Sequence, residues 1–412
     1  MRFAATTPPH MATLVFLTML STITLNMFLP SLSNMAAEFD VPYALVALSV
    51  SGYLVSTAAV MLIMGPLSDR LGRRPVLIGG LAVYVAASFV CTLATDFWVF
   101  LAFRVLQGAM VAGWTLSLAV VRDTVPANQA ASRIGYITMA MAIGPMLGPT
   151  FGGFLDAAFG WRASFVAYTA LGVTALIIVW LDLGETNKTP SKTFGEQFRA
   201  YPELIRSRRF WGFAVCAAGS VGAFYSFLAG APLVAQQMLG VAAAELGIYI
   251  GIITAGFTFG SFLSGRFAAR TELTTMVLSG RLVACGGLAL GLICIMFGIV
   301  NVVTVFGAAI CVGIGNGLTM PSCNAGIMSV RPRLAGSAAG ASGALALGIG
   351  SLLTALTGIA VGDGQSAIPL LVVMLASSFV GLLGVLVVMR IDRREGAFPA
   401  RTDPTAPTAP EQ

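Results

Sequence analysis

Twelve stretches of roughly 20 mostly apolar residues follow one another along this chain, each long enough to carry a helix across the hydrocarbon of a bilayer. They fall at 11–32, 43–66, 76–95, 98–121, 134–155, 164–183, 210–235, 246–267, 276–299, 302–323, 336–359 and 366–389, separated by polar or turn-forming clusters. Inside lipid a backbone must bond to itself, which a helix does within one segment. Twelve crossings use about 240 residues, and the chain has 412, of which 57% are hydrophobic and 10% charged. The predicted fold is an all-α membrane protein of twelve transmembrane helices. The first run lacks a basic leader and a small-residue cleavage site and continues into Leu29-Pro30-Ser31, so it is expected to remain as a helix.

Lys and Arg favour cytoplasmic loops, so their placement sets the orientation. Arg70, Arg73 and Arg74 fall between spans 2 and 3, Arg122 and Arg133 between 4 and 5, Arg266 and Arg270 after span 8, and Arg331 and Arg333 between 10 and 11. The alternate loops hold Glu38, Asp40, Asp96, Asp156, Glu245 and Asp363, with Arg162 their one basic residue. Both termini are therefore expected in the cytoplasm. A net charge of +6 reports this topology and implies no nucleic acid.

The polar stretch from Gly184 to Arg209 divides the spans six and six. It predicts an N-terminal six-helix bundle over 1–183, a cytoplasmic linker over 184–209, a C-terminal bundle over 210–389 and a disordered tail over 390–412, rich in Pro, Thr and Ala. The halves echo each other: Leu67-Ser68-Asp69-Arg70 after span 2 returns as Leu263-Ser264-Gly265-Arg266 after span 8, as parallel repeats require.

Several chemistries are poorly served by this sequence. The six cysteines lie in apolar runs without a C-x-x-C pair and read as reduced packing residues, and the one histidine, His10, precedes the first span. No metal or other cofactor is indicated. There is no P-loop for an ATP-driven pump, no HExxH or GxSxG, and no acid pair within a span, so the chain does not read as an enzyme. Neither linker nor tail is large enough for a folded signalling domain.

Four features could carry function. In the loop Gly65-Pro66-Leu67-Ser68-Asp69-Arg70-Leu71-Gly72-Arg73-Arg74-Pro75, glycines permit a tight turn and Asp69 stands among three arginines, with Asp123 at the end of span 4. It reads as a charge-linked latch or as a positive-inside anchor. Arg104 lies within span 4, followed by Gln107, Gly108, Val111 and Thr115 at helical spacings. Either it faces protein or a wet cavity, or it snorkels outward. Span 5 places Gly144, Gly148 and Gly152 four residues apart, with Gly153 beside them, for close helix approach, and Pro145 and Pro149 permit bending. Span 11 repeats the stripe as Gly336, Gly340, Ala344 and Gly348. On span 1, Thr18, Thr22 and Asn26 form a polar stripe that either faces the interior or bonds back to its own helix.

These residues resemble the twelve-span drug:proton antiporters of the major facilitator superfamily. Residues 65 to 74 match the motif A pattern G-x-L-x-D-R-x-G-R-R, Arg104-Val105-Leu106-Gln107-Gly108 matches R-x-x-Q-G of motif B, and residues 144 to 153 match G-P-x-x-G-P-x-x-G-G of motif C. Leu25-Asn26-Met27-Phe28-Leu29-Pro30, Val121-Arg122-Asp123, Gly160-Trp161-Arg162-Ala163-Ser164-Phe165 and Ala335-Gly336-Ser337-Ala338-Ala339 are similar to the bicyclomycin- and chloramphenicol-resistance group, as is Phe224-Tyr225-Ser226-Phe227 with Pro232. The resemblance implies two pseudo-symmetric six-helix bundles in the bacterial inner membrane, usually as a monomer among membrane lipid. It implies gating through Asp69, Arg73 and Asp123, with Asp69 also near the start of span 11 at Gly336, proton coupling through Arg104, and export rather than import through motif C.

One position departs from that group: Asn26 stands where an acid is usual, and no other Asp or Glu lies mid-span. The routes left are a proton handled near Asp123 or Asp156, charge exchange between substrate and Arg104, or movement without protons. Tyr53, Trp114, Phe224, Tyr225 and Phe227 are candidate walls of a substrate cavity, with Asn26, Asn316 and Asn324 as polar contacts. The expected cargo is a small, neutral or weakly charged amphipathic drug or metabolite, moved out in exchange for protons. The alternative is an amino-acid or sugar exporter, or an uncoupled facilitator, of the same fold.

Overall fold

The structure is a computed structural model that describes residues 9–124, 133, 137, 144, 147–187, 201–267, 271–331, 335–362 and 364–394. Helix α1 (Met11–Asn26) runs through a 3₁₀ turn at Leu29–Ser31 into α2 (Leu32–Glu38), and the three make one crossing. Pro30, which has no N–H to donate, sits where the α-helical ladder gives way. Helices α3 (Tyr43–Leu71) and α4 (Arg73–Leu93) follow. Asp96 then accepts from the backbone of Trp98 and Val99 and starts α5 (Phe97–Leu106). A 3₁₀ turn at Gln107–Met110 joins α5 to α6 (Val111–Thr124) within one crossing. Residues 147–159 form α7, and α8 (Arg162–Asp182) closes the first half.

A short helix, α9 (Tyr201–Ile205), precedes the second half: α10 (Arg208–Leu239), α11 (Ala243–Phe267), α12 (Leu273–Met296), α13 (Val302–Ser329), α14 (Ala335–Ala360) and α15 (Ile368–Arg394). Gly240, at φ 66°, ends α10 in the left-handed region that glycine adopts without strain. Asn301 accepts from Thr304 N at 2.9 Å and begins α13.

Eleven helices are long and apolar enough to cross a membrane among the described residues. The chain is thus a multi-pass, all-α membrane protein, as its apolar runs predict. Much of the fifth predicted span, 134–155, including Pro145, lies outside the described residues. So do most of the linker and the tail beyond 394. Several helices overrun their apolar runs, because a helix can continue past the hydrocarbon where its charges reach water or each other. Helix α15 extends to Arg394, and Asp392 in its last turns pairs with Arg209 at 3.0 Å.

Aromatic and aliphatic side chains such as Phe89, Trp180, Phe259 and Phe262 project from the outer surface, where lipid replaces water as their solvent. The two halves meet along α3 and α14, where Ser351 donates to the Ser51 carbonyl at 2.8 Å and Gly358 lies against Ala47. They also meet along α7 and α11, where Thr150 donates to the Gly247 carbonyl at 3.1 Å.

Candidate functional site

The loop rich in arginine is a strapped turn between two helices. Gly72, at φ 99°, reverses the chain between α3 and α4, and a side chain there would collide with the carboxylate of Glu185. That carboxylate accepts from Arg73 N at 2.9 Å and Arg74 N at 3.2 Å, meeting the unpaired donors and positive end of α4. The Arg73 guanidinium pairs with Asp69 at 2.6 Å and with Asp123 at 3.0 Å, and donates to Ser68 Oγ at 2.5 Å. Asn187 Nδ2 donates to the Asp69 carbonyl at 2.8 Å, and Thr186 Oγ1 donates to Asp123 at 3.4 Å. Glu185, Thr186 and Asn187 thereby tie the ends of α3, α4 and α6 together. Arg74 donates to the Trp180 carbonyl at 2.9 Å and lies over its ring, whereas Arg70 is exposed and Gly65 lies within α3.

Arg104 does not snorkel: it is 0% exposed. Its Nη1 donates to Gln107 Oε1 at 2.5 Å and its Nη2 to the Thr24 carbonyl of α1 at 2.9 Å. The guanidinium is sandwiched between Phe28 at 4.1 Å and Tyr53 at 4.4 Å from the ring centres, which supplies cation–π attraction in place of water. Gln107 Nε2 donates to Ser88 Oγ of α4 at 2.8 Å, and Gly108 leaves room for Ser56 and Thr57 of α3. The charge meets only neutral acceptors and π faces among the described residues, and Nε has no partner. Asp96, two turns earlier, is spent on capping α5.

The glycines of α7 and its approach are contact points for α1. A methyl on Gly144 would overlap the Thr22 hydroxyl, and one on Gly152 would overlap the Met27 carbonyl. Gly148 faces Asn26, and an added carbon would sit in ordinary van der Waals contact with Asn26 Cβ and Met27 N, both at 3.4 Å. On the far side, Gly247 of α11 abuts the Pro149 carbonyl. The polar stripe on α1 bonds mostly to its own helix: Thr18 to the Leu14 carbonyl at 2.9 Å, and Asn26 Nδ2 to the Thr22 carbonyl at 2.7 Å. Gly152→Ala is expected to lower the melting temperature sharply, because backbone at Met27 cannot yield and the overpacking exceeds the usual 1–3 kcal/mol or so. Gly148→Ala should be tolerated. Heating followed by fluorescence-detected size exclusion compares the two, and equal melting would show that α1 can move aside.

The sequence profile of the Major Facilitator Superfamily matches residues 14–355. The chain belongs to this superfamily. It is 31% identical over 251 residues to the chloramphenicol resistance protein of Pseudomonas aeruginosa, covering 60% of this chain and 59% of that one. It is 29% identical over 373 residues to the multidrug resistance protein MdtL of Shigella flexneri, covering 88% and 91%. In structure it is similar to a D-xylose-proton symporter, with a TM-score of 0.72 at 13% identity over 92% of this chain and 96% of that one. The fold is the major facilitator fold, and the protein is a transporter.

This superfamily chain holds a second buried cation, which was not among the candidate residues. Arg281, inside α12, is 0% exposed. Its Nη2 donates to Asn316 Oδ1 at 2.5 Å and its Nε to Thr319 Oγ1 at 3.0 Å, while Asn316 Nδ2 donates to the Ser220 carbonyl of α10 at 3.0 Å. The two halves thus use one device. In each, a guanidinium and a side-chain amide join the first, third and fourth crossings, but the arginine comes from the fourth crossing in the first half and from the third in the second. Arg281 stands within the run 276–299, so the signal that drew attention to Arg104 was available for it too. The linker residues Glu185 to Asn187 carried no such signal.

The aromatic and amide candidates divide among different surroundings. Tyr53 is buried under Arg104, and Asn316 is committed to Arg281. Phe227 is buried edge-on against Phe306, with ring centres 5.8 Å apart, as a packing residue. Phe224 and Tyr225 are half-buried neighbours at 5.6 Å, Trp114 is half-buried, Asn324 is exposed on α13, and Asn26 is 2% exposed at the α1–α7 contact. All six cysteines are free thiols.

Proposed function

We propose that this transporter exports small amphipathic drugs or metabolites across the bacterial inner membrane, with both termini in the cytoplasm, in exchange for protons and as a monomer. The observation that carries the reading is the backbone contact of α7 with α11 in the other half, where the Pro149 carbonyl lies against Gly247, while the glycines on the opposite side of α7 lie against the first crossing of its own half. A contact of this kind, with small Gly247 on one side and the Thr150 hydroxyl as its polar link, lets one half rock on the other without bulky side chains interlocking. Two relatives carry resistance names, which supports drugs as cargo. Contacts at one end of the bundle also fit a rocking pair: Tyr43 of α3 donates to the Ala229 carbonyl, and Gln236 of α10 donates to the Pro30 carbonyl at 3.3 Å. This end carries few arginines and faces outward in the proposed orientation, so its closure corresponds to a state open toward the cytoplasm. Trp114, Phe224, Tyr225 and Asn324 remain the proposed drug contacts, with Tyr53 committed to Arg104.

The test uses everted membrane vesicles energised to an acidic interior. Adding a phenicol drug is expected to collapse part of the pH gradient only where this protein is present. Drug movement without proton flux would overturn the exchange. Asn26 favours that second reading, an uncoupled facilitator or metabolite exporter, because its amide bonds to the Thr22 carbonyl and carries no proton.

A further inference from the structure

We propose that Asp156 is a proton-binding site that holds the outward end of the transporter shut when it is neutral. This rests on the reading of the chain as a proton-linked exporter. Asp156 lies near the end of α7 and is 6% exposed. Asn34 Nδ2 donates to its Oδ2 at 2.6 Å, its Oδ1 has no hydrogen-bond partner, and the fully buried Ser31 hydroxyl faces the carboxyl without meeting bonding geometry. The charged groups on the elements around it are Glu38 at the end of the first crossing, Asp40 just after it, Arg162 at the start of α8 and Glu245 at the start of α11. Arg162 is engaged with Glu38, and among the described residues none of the four pairs with Asp156. An ionised carboxyl enclosed in this way loses hydration that no cation replaces, whereas the neutral acid can donate a proton to Ser31.

The bed of Asp156 is also the surface on which the second half closes. Ser31 belongs to the 3₁₀ turn whose Pro30 carbonyl accepts from Gln236, and Gly152, one turn before Asp156, presses on Met27 in the same crossing. Parting the halves here releases Gln236 and admits water to the turn beneath the carboxyl. The open arrangement therefore suits the ionised acid and the closed arrangement the protonated one. Linkage fixes the sign. The closed form binds the proton more tightly, so its share rises as pH falls through the closed-form range and levels off below the ordinary aspartate value near 3.9. One proton permits at most about a tenfold change in the open-to-closed ratio per pH unit.

The test places spin labels at Ala158→Cys on α7 and Ala242→Cys before α11, with the native cysteines replaced, in the full-length protein in nanodiscs without drug. Double electron–electron resonance distances are read from about pH 8 to about pH 4, which spans the range above the ordinary aspartate value. The labels are expected to move from a longer to a shorter separation on acidification. Asp156→Asn should give the shorter separation throughout, and Asp156→Glu should restore a titration with a displaced midpoint. Distances that ignore pH, or an Asp156→Asn protein that titrates like the parent, would overturn the site. Proton exchange measured on vesicles of the same proteins separates the two readings. Intact exchange with distances blind to Asp156 removes this site alone, and distances that titrate through Asp156 without exchange keep the site and remove the coupling.

Discussion

Arg104→Ala is expected to abolish proton-linked drug movement in vesicles and to destabilise the folded protein. The change strands Gln107 Oε1 and the Thr24 carbonyl in a buried setting, at about 1–3 kcal/mol for each unmet acceptor. It also leaves a void between Phe28 and Tyr53, for which cavity formation adds more. Arg104→Lys separates charge from shape. An ammonium keeps the positive charge but cannot reach two acceptors in a plane while stacking between two rings. We expect the lysine protein to keep most of the thermal stability and to lose transport by more than tenfold. A normal pH dependence of transport in the alanine protein would instead make Arg104 a structural strut.

Asp69→Asn is expected to slow turnover by at least tenfold with expression unchanged. Asp69 holds Arg73 at 2.6 Å, and the same guanidinium is shared with Ser68 and Asp123. An isolated surface ion pair contributes about 0–1 kcal/mol. This one belongs to a half-buried network that Glu185 and Asn187 anchor from the linker, so its loss should propagate to the ends of α3, α4 and α6. A shift of about 1.4 kcal/mol between two conformations changes their ratio tenfold. Transport assays normalised to protein amount decide the matter, and unchanged transport would remove the latch from the mechanism.

The crossings could be read from sequence because each depends on a local property, a run of apolar residues long enough for a bilayer. The charged turn was legible for a similar reason, since Asp69, Gly72 and Arg73 are neighbours in sequence, and its role as a latch is the proposal that the Asp69→Asn protein tests. What escaped depends on distant pairings. Asn316 lies 35 positions from Arg281, and its amide was assigned to a cavity rather than to a guanidinium. Glu185 is separated from Arg73 by 112 positions, and nothing local distinguishes its carboxylate from other linker charges. Phe227 illustrates the opposite error. An aromatic residue beside Phe224 and Tyr225 suggests a cavity wall, yet helical rotation turns its ring into the core against Phe306. Asn26 could be recognised as a departure by sequence, but its commitment to Thr22 needed the helix geometry.

The two buried guanidinium clusters bind helices within a half and never across the seam among the described residues. Mechanically, each half is braced like a trussed panel, with its cross-members placed away from the joint. In the proposed rocking motion stiffness and mobility then reside in different atoms: arginine forks keep each panel in shape, and the backbone contact of Pro149 with Gly247 is the bearing on which the panels would turn. Evolution can therefore alter the swing of this machine at the bearing while leaving the panels intact, and a loosened brace would make both panels sag before it freed the joint.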